Sequence, residues 1–212
     1  VATRRLLLCG AAAGPIFVAA FLITGSLRPD YDQLRHPVSS LALTSAGWTQ
    51  VANFLVVGTL LTAFAFGVRR APALAGRTGF KPWLLGACGV GLIGAGLFPG
   101  DPVSGYPPGT PDELIYTPPG IAHDAFSMLF FFGLPLACMA FTLWSLRTRR
   151  RLLAAYSALT ATAFVAFFLL AGMGFSQTDG YTELGGLYQR ISITIGLAWT
   201  TAIALVLLPE GE

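Results

Sequence analysis

The sequence predicts an all-α, polytopic integral membrane bundle with six transmembrane helices in a single domain over residues 1–212, and three observations carry that reading. Hydrophobic residues make up 54% of the chain and charged residues only 11%, with a mean hydropathy of +0.67, whereas a soluble domain carries about 25% charge. Six apolar windows fall near 6–27, 48–68, 83–99, 120–146, 152–175 and 186–208. Each is long enough to cross a hydrocarbon core about 30 Å thick, and only a helix satisfies its own backbone there. The charges, finally, are sorted between alternate connections, as the positive-inside rule requires of a multi-pass protein.

The first window opens like a signal peptide, but its apolar run continues to Leu27, and Leu8 is not the small residue that lipoprotein processing needs before Cys9. It therefore reads as the first span. Gly10 and Gly14 give it a small-residue patch and Pro15 a kink. The second window starts at Trp48, an interface-belt residue, and ends in Arg69 and Arg70. The third is rich in glycine, at Gly86, Gly89, Gly91, Gly94 and Gly96, and Ala87, Gly91 and Ala95 form a ridge at four-residue spacing that suits close approach and a central position in the bundle. The fourth carries a second kink at Pro135. The fifth and sixth complete the set, and no repeat relates the two halves, which weakens an inverted-repeat transporter. Cys9, Cys88 and Cys138 are odd in number, lie in apolar stretches and lack C-x-x-C spacing, so they read as small core residues.

Ten of the thirteen basic residues sit in the N-terminal segment and the second and fourth connections: Arg4, Arg5, Arg69, Arg70, Arg77, Lys81, Arg147, Arg149, Arg150 and Arg151. Those segments are expected in the cytoplasm, with both termini, of a bacterial inner membrane. The net charge of +3 is then a topology signal, and no nucleic-acid partner is expected. Eight of the ten acids lie in or beside the odd connections, with both histidines, so any chemistry belongs at that outer mouth.

The first outer segment runs Arg28-Pro29-Asp30-Tyr31-Asp32-Gln33-Leu34-Arg35-His36-Pro37-Val38-Ser39-Ser40-Leu41, followed by Gly47-Trp48-Thr49-Gln50-Val51-Ala52-Asn53-Phe54. The second runs Phe98-Pro99-Gly100-Asp101-Pro102 to Pro107-Pro108-Gly109-Thr110-Pro111 and closes with Gly120-Ile121-Ala122-His123-Asp124. The third holds Gly185-Gly186-Leu187-Tyr188-Gln189-Arg190. In this order and over nearly the whole chain, these motifs resemble the bacterial domain-of-unknown-function family 998 of small membrane proteins. The resemblance implies six spans and assigns no activity.

Three residues are candidates for acid/base work. His123 and Asp124 fall at the start of the fourth helix, where the dipole favours a carboxylate; a histidine entering a membrane helix is a functional candidate, or else an interfacial group bonded to a loop carbonyl. Asp101 follows the apolar third helix directly, where it serves either as a carboxyl drawn below the rim, suited to a general acid, or as an exposed turn residue before Pro102. Arg190 lies inside the sixth helix near its N-terminal end, where the dipole repels a cation, so a carboxylate from Asp101, Asp124 or Glu183 or an anionic substrate group is expected beside it.

Candidate substrate-binding residues are Tyr31, His36, Ser39, Trp48, Asn53, Tyr188 and Arg190. Ser39 and Ser40 either cap a helical turn or supply a nucleophile. Gln50 and Asn53 share a helix face and suit interhelical hydrogen bonds. Tyr31, Tyr106, Tyr181 and Tyr188 add aromatic faces to the mouth. His36, His123 and a carboxylate would match the ligand count of a catalytic zinc, but no ligand spacing supports it, and a metal-free, cofactor-free site is expected.

The function these residues suggest is a membrane-embedded enzyme acting on an apolar lipid or isoprenoid, in its sharpest form a terpene cyclase that starts cyclisation by protonation. A lipid or small-molecule transporter or binding protein would use the same groups as a recognition site, with Ser157, Thr160 and Thr162 as its few polar residues toward the inner side. A structural assembly subunit would use the outer loops as a docking surface.

Overall fold

The computed structural model describes residues 1–208. They form six long helices, α1 (Ala2–Leu27), α2 (Trp48–Arg70), α3 (Lys81–Leu97), α4 (Pro118–Arg147), α5 (Arg151–Phe175) and α6 (Gly185–Leu207), with short 3-10 turns at Val38–Ala42, Pro72–Leu74 and Thr182–Leu184. Five of them are long and apolar enough to cross a membrane, and α3, at 17 residues, is a shorter apolar helix. It still runs end to end, because Arg69 at the close of α2 lies over Trp83 at the start of α3, while His123 near the start of α4 meets Ala95 near the close of α3.

The windows locate every helix and miss its ends where local chemistry sets them. Thr117 caps α4 by accepting from the Gly120 N–H, and prolines stand in the first helical positions, where no N–H is needed. The fourth helix thus begins at Pro118 rather than near 120, which moves His123 and Asp124 into its second turn. No acid occupies its first turn. The helix dipole therefore acts only weakly on Asp124, since that field fades within one turn.

Each helix packs on its sequence neighbours, and α6 closes onto α1, giving a ring of six. No helix occupies the centre, so the glycines of α3 serve its two flanks instead. A Cβ on Gly89 would come within 2.6 Å of the Gly58 carbonyl oxygen of α2, and one on Gly91 within 2.6 Å of the Phe126 carbonyl oxygen of α4. A Cβ on Gly14 would come within 2.8 Å of the Leu197 carbonyl oxygen of α6. These approaches are what small residues permit where van der Waals contact drives association.

Pro15 has no N–H to offer the Ala11 carbonyl, and Thr201 of α6 takes that oxygen at 3.1 Å. The proline site of α1 is thereby a joint between α1 and α6. In the half of the ring nearer the basic end, Leu7, Phe64, Phe141, Phe164 and Trp199 are fully buried. The Trp199 indole donates to Ser157 at 2.9 Å, which places that serine in packing rather than along an open path. Thr160 is buried, and Thr162 is exposed and bonded to its own helix.

Candidate functional site

At the acidic end the chain does something different with its polar groups. Arg190 is buried, and its guanidinium donates to the carbonyls of His36 and Gly186, both at 3.0 Å, and to the Tyr31 hydroxyl. It also lies over the rings of Phe21 and Tyr31, at 5.7 and 5.5 Å. The expected carboxylate is not its partner: carbonyl dipoles, a phenol and two aromatic faces compensate the cation instead.

The ion pairs that stitch the outer segments belong to Arg35, which reaches Asp112 at 2.8 Å and Glu183 at 3.2 Å. These are the salt bridges among the described residues, and being largely exposed they add little stability.

Tyr31, His36 and Tyr106 form an aromatic triangle with centroids 5.1 to 5.4 Å apart. The Tyr31 hydroxyl donates to the Pro37 carbonyl at 2.8 Å, and burial pushes this phenol up to about 12 against the opposing pull of Arg190. His36 accepts the Asp32 N–H on Nδ1 at 2.9 Å, so the ring is neutral with its other nitrogen protonated. Burial lowers its pKa, Arg35 and Arg190 add to that, and Asp32 and the Ser104 backbone oppose it.

Beneath this network lies a cavity of about 420 Å³ reached by all six helices. Phe17, Phe54, Leu92, Phe130, Phe131, Phe168 and Ile193 supply its apolar walls, and Ser39, Asp101, Tyr116, His123, Asp124, Ser127 and Gln189 its polar groups. The three acid/base candidates therefore meet in one space, with Ser39 beside them. Tyr31, His36, Trp48, Asn53, Tyr188 and Arg190 lie outside its lining.

Each of these residues has a visible place. Trp48 is exposed at the start of α2. Asn53 is buried and donates to the Phe17 carbonyl of α1 at 3.2 Å, an interhelical bond. Tyr188 faces Phe167 of α5, centroids 6.3 Å apart. Ser39 sits inside the 3-10 turn and caps nothing, because Pro37 precedes that turn without a side-chain bond. His36 and His123 do not gather with a carboxylate: no group of three or more His, Cys, Asp or Glu able to hold a metal occurs among the described residues.

His123 is held by the end of α3. Its Nδ1 lies 2.9 Å from the Ala95 carbonyl oxygen and 3.0 Å from that of Phe98. Pro99 cannot serve the Ala95 carbonyl, which is thus free for the ring. Both partners only accept, so Nδ1 carries the proton, and in the neutral ring Nε2 keeps a lone pair. That edge of the ring lies beside Gly100, where a Cβ would stand 3.4 Å from Nε2.

Asp101 accepts the Thr117 N–H at 2.8 Å on one oxygen and the Thr117 hydroxyl at 2.6 Å on the other. It packs so closely on the start of α4 that a Cβ on Gly120 would overlap its carboxylate. This is the work of a helix-start acid, done from the preceding loop. Asp124 is the opposite case: it is half-buried and has no hydrogen-bond partner among the described residues. It lines the cavity with its oxygens uncommitted.

Sequence reading passed over Gln189 and Tyr116. Gln189 accepts the Val38 N–H at 2.8 Å through its carbonyl oxygen, which leaves its NH₂ for the cavity. It stood in the same motif as Arg190, and helical spacing of about 100° per residue already separated the two faces. Nothing in the sequence marked Tyr116, which a loop delivers.

Fold and site together define a small multi-pass helical membrane protein with an aromatic cavity below its acidic end. The chain belongs to the family described as "Protein of unknown function (DUF998)", which it matches over residues 11–206. Among curated proteins and among solved structures, none matches.

Proposed function

We propose that this protein is a membrane-embedded enzyme that takes an apolar lipid or isoprenoid substrate and transforms it by acid/base chemistry, with Asp124 and His123 as the reacting pair and Asp101 as a positioning residue. The observation that carries this reading is the juxtaposition, in one aromatic-walled cavity, of a carboxyl group without a hydrogen-bond partner among the described residues and an imidazole whose tautomer is fixed.

A route for the substrate supports it. Gly172 of α5 lines the cavity, is exposed, and would meet nothing within 4 Å on gaining a Cβ. Asp124, Ser127 and Met128 of α4 and Phe168 and Phe175 of α5 are all partly exposed along the same seam. The cavity thus reaches the surface between two apolar helices, where an apolar chain enters from lipid.

In the cyclisation version, a protonated Asp124 delivers its proton to an alkene or epoxide of an isoprenoid chain, and the resulting cation is attacked by a neighbouring double bond as the new carbon–carbon bond forms. Faces of Phe131 and Phe168 stabilise the charge. Loss of a proton to His123 Nε2 closes the sequence. Orientation follows the charge: the basic end faces the cytoplasm of a bacterial inner membrane, and the cavity opens toward the outer leaflet.

The test is turnover of prenylated and other isoprenoid substrates by the purified protein. Product should form with the native chain and fall by at least about 10²-fold in Asp124→Asn. Gly172→Phe should lower turnover of long-chain substrates most, since it narrows the seam. Undiminished turnover in Asp124→Asn would remove the acid/base reading, and gradient-driven substrate uptake without product would replace it with transport.

A further inference from the structure

Of the five glycines in α3, Gly86 is the one that helix packing does not require. A Cβ there would meet only the Ala65 Cβ, at an ordinary 3.7 Å, whereas Gly89, Gly91 and Gly94 would clash with neighbours at 2.6 Å or less and Gly96 would approach Phe54 at 3.0 Å. A glycine inside a helix costs about 1 kcal/mol relative to alanine, so the space it leaves asks for a use.

That space is the floor of a second cavity, about 420 Å³, on the outer face of the ring between α2 and α3. Phe66, Val90 and Leu129 give it apolar walls, and at its basic end stand Arg69 and Trp83, the guanidinium 5.8 Å from the ring centre. Phe66, Trp83, Val90 and Leu129 are all exposed, which places the groove against lipid.

Among the described residues no acid compensates the charge at its mouth. All eight acids among the described residues lie toward the opposite end, and Lys81 has committed its ammonium to the carbonyls of Arg77 at 2.7 Å and Thr78 at 3.3 Å. Arg69 is exposed, with a fork of donors matched to a phosphate. An indole beside a guanidinium at the end of an apolar groove is the arrangement of a lipid headgroup site, where tail and headgroup are recognised at different depths.

We propose that this groove binds one anionic phospholipid, its phosphate on Arg69 and an acyl chain running over Gly86 toward Leu129. The site lies on the other side of α3 from the acid/base cavity and stands whether or not that cavity is catalytic.

Native mass spectrometry of the purified full chain, titrated with phosphatidylglycerol and with phosphatidylcholine of matched chains, tests it. One phosphatidylglycerol should be retained about fivefold more tightly than phosphatidylcholine, the margin of a single surface arginine. Arg69→Gln should erase the preference while a lipid still binds, and Gly86→Leu, which has room to fold, should release both lipids. Equal retention of the two lipids, an unchanged preference in Arg69→Gln, or unchanged binding in Gly86→Leu each overturns the proposal. So does a dimer whose second copy fills the groove and excludes lipid.

Discussion

The Nδ1–H of His123 closes the carbonyl of Ala95 at 2.9 Å, across from the proline that leaves this carbonyl open. One side chain thus finishes α3 and presents its other nitrogen to the cavity. Replacement by asparagine separates the two duties, because an amide N–H can reach where Nδ1 does while nothing replaces Nε2. His123→Asn should unfold within a few degrees of the native protein, and His123→Ala should lose about 1–3 kcal/mol through the two stranded carbonyls. Both should lower activity by about 10²-fold or more. Thermal unfolding in detergent beside turnover makes the comparison.

Asp101 and Asp124 should part company in the same assays. Asp101 holds two donors at the start of α4, so Asp101→Ala should cost about 1–2 kcal/mol. Asp124 holds none among the described residues, and Asp124→Asn should leave the unfolding temperature nearly unchanged while abolishing turnover. A large stability loss in Asp124→Asn would mean that its carboxylate is structural.

Removing the Tyr31 hydroxyl should expose how Arg190 is accommodated. Tyr31→Phe strips a partner from a buried guanidinium whose Nε already lacks one among the described residues, and should destabilise by about 1–3 kcal/mol. Arg190→Lys keeps the charge and loses the fork that serves two carbonyls and a phenol at once, so it should not restore native stability. Equilibrium unfolding of the single and double variants would show the coupling.

Acid should loosen the outer network through His36. Its folded pKa is lowered below the ordinary 6.5, so the unfolded chain takes up the proton first. The stabilisation is complete above pH 6.5 and is lost as pH falls through the lower folded value. Asp32, Arg35, Arg190, Tyr31 and Tyr106 are the titratable or charged groups around it. Unfolding temperatures from pH 8 to pH 5 should decline less steeply in His36→Gln than in the native protein, the difference isolating this residue from His123 and the carboxylates.

Much of this protein was legible before any coordinate. The six helices follow from apolar windows, their alternating ends from the placement of arginine and aspartate, and the concentration of Asp101, His123 and Asp124 at one end from the same count. These are properties of single segments, since each helix satisfies its own backbone in lipid and each charge avoids the hydrocarbon independently. Hydropathy therefore determined the architecture, and the placement of charge determined the end at which the acids and histidines collect.

What the tertiary structure decided is who partners whom. Asp101 reads alone as a general acid or a turn residue and in the fold as an anchor for Thr117; Arg190 reads as a cation in need of a carboxylate or an anionic substrate group and is settled by carbonyls and aromatic rings; Gln189 and Tyr116 became cavity residues only when α6 and a loop arrived beside α4. Hydrogen bonds act over about 3 Å between groups that are distant along the chain. Their allocation is fixed only where the packing of α4 on α3 brings Pro99, Ala95 and His123 to the same place.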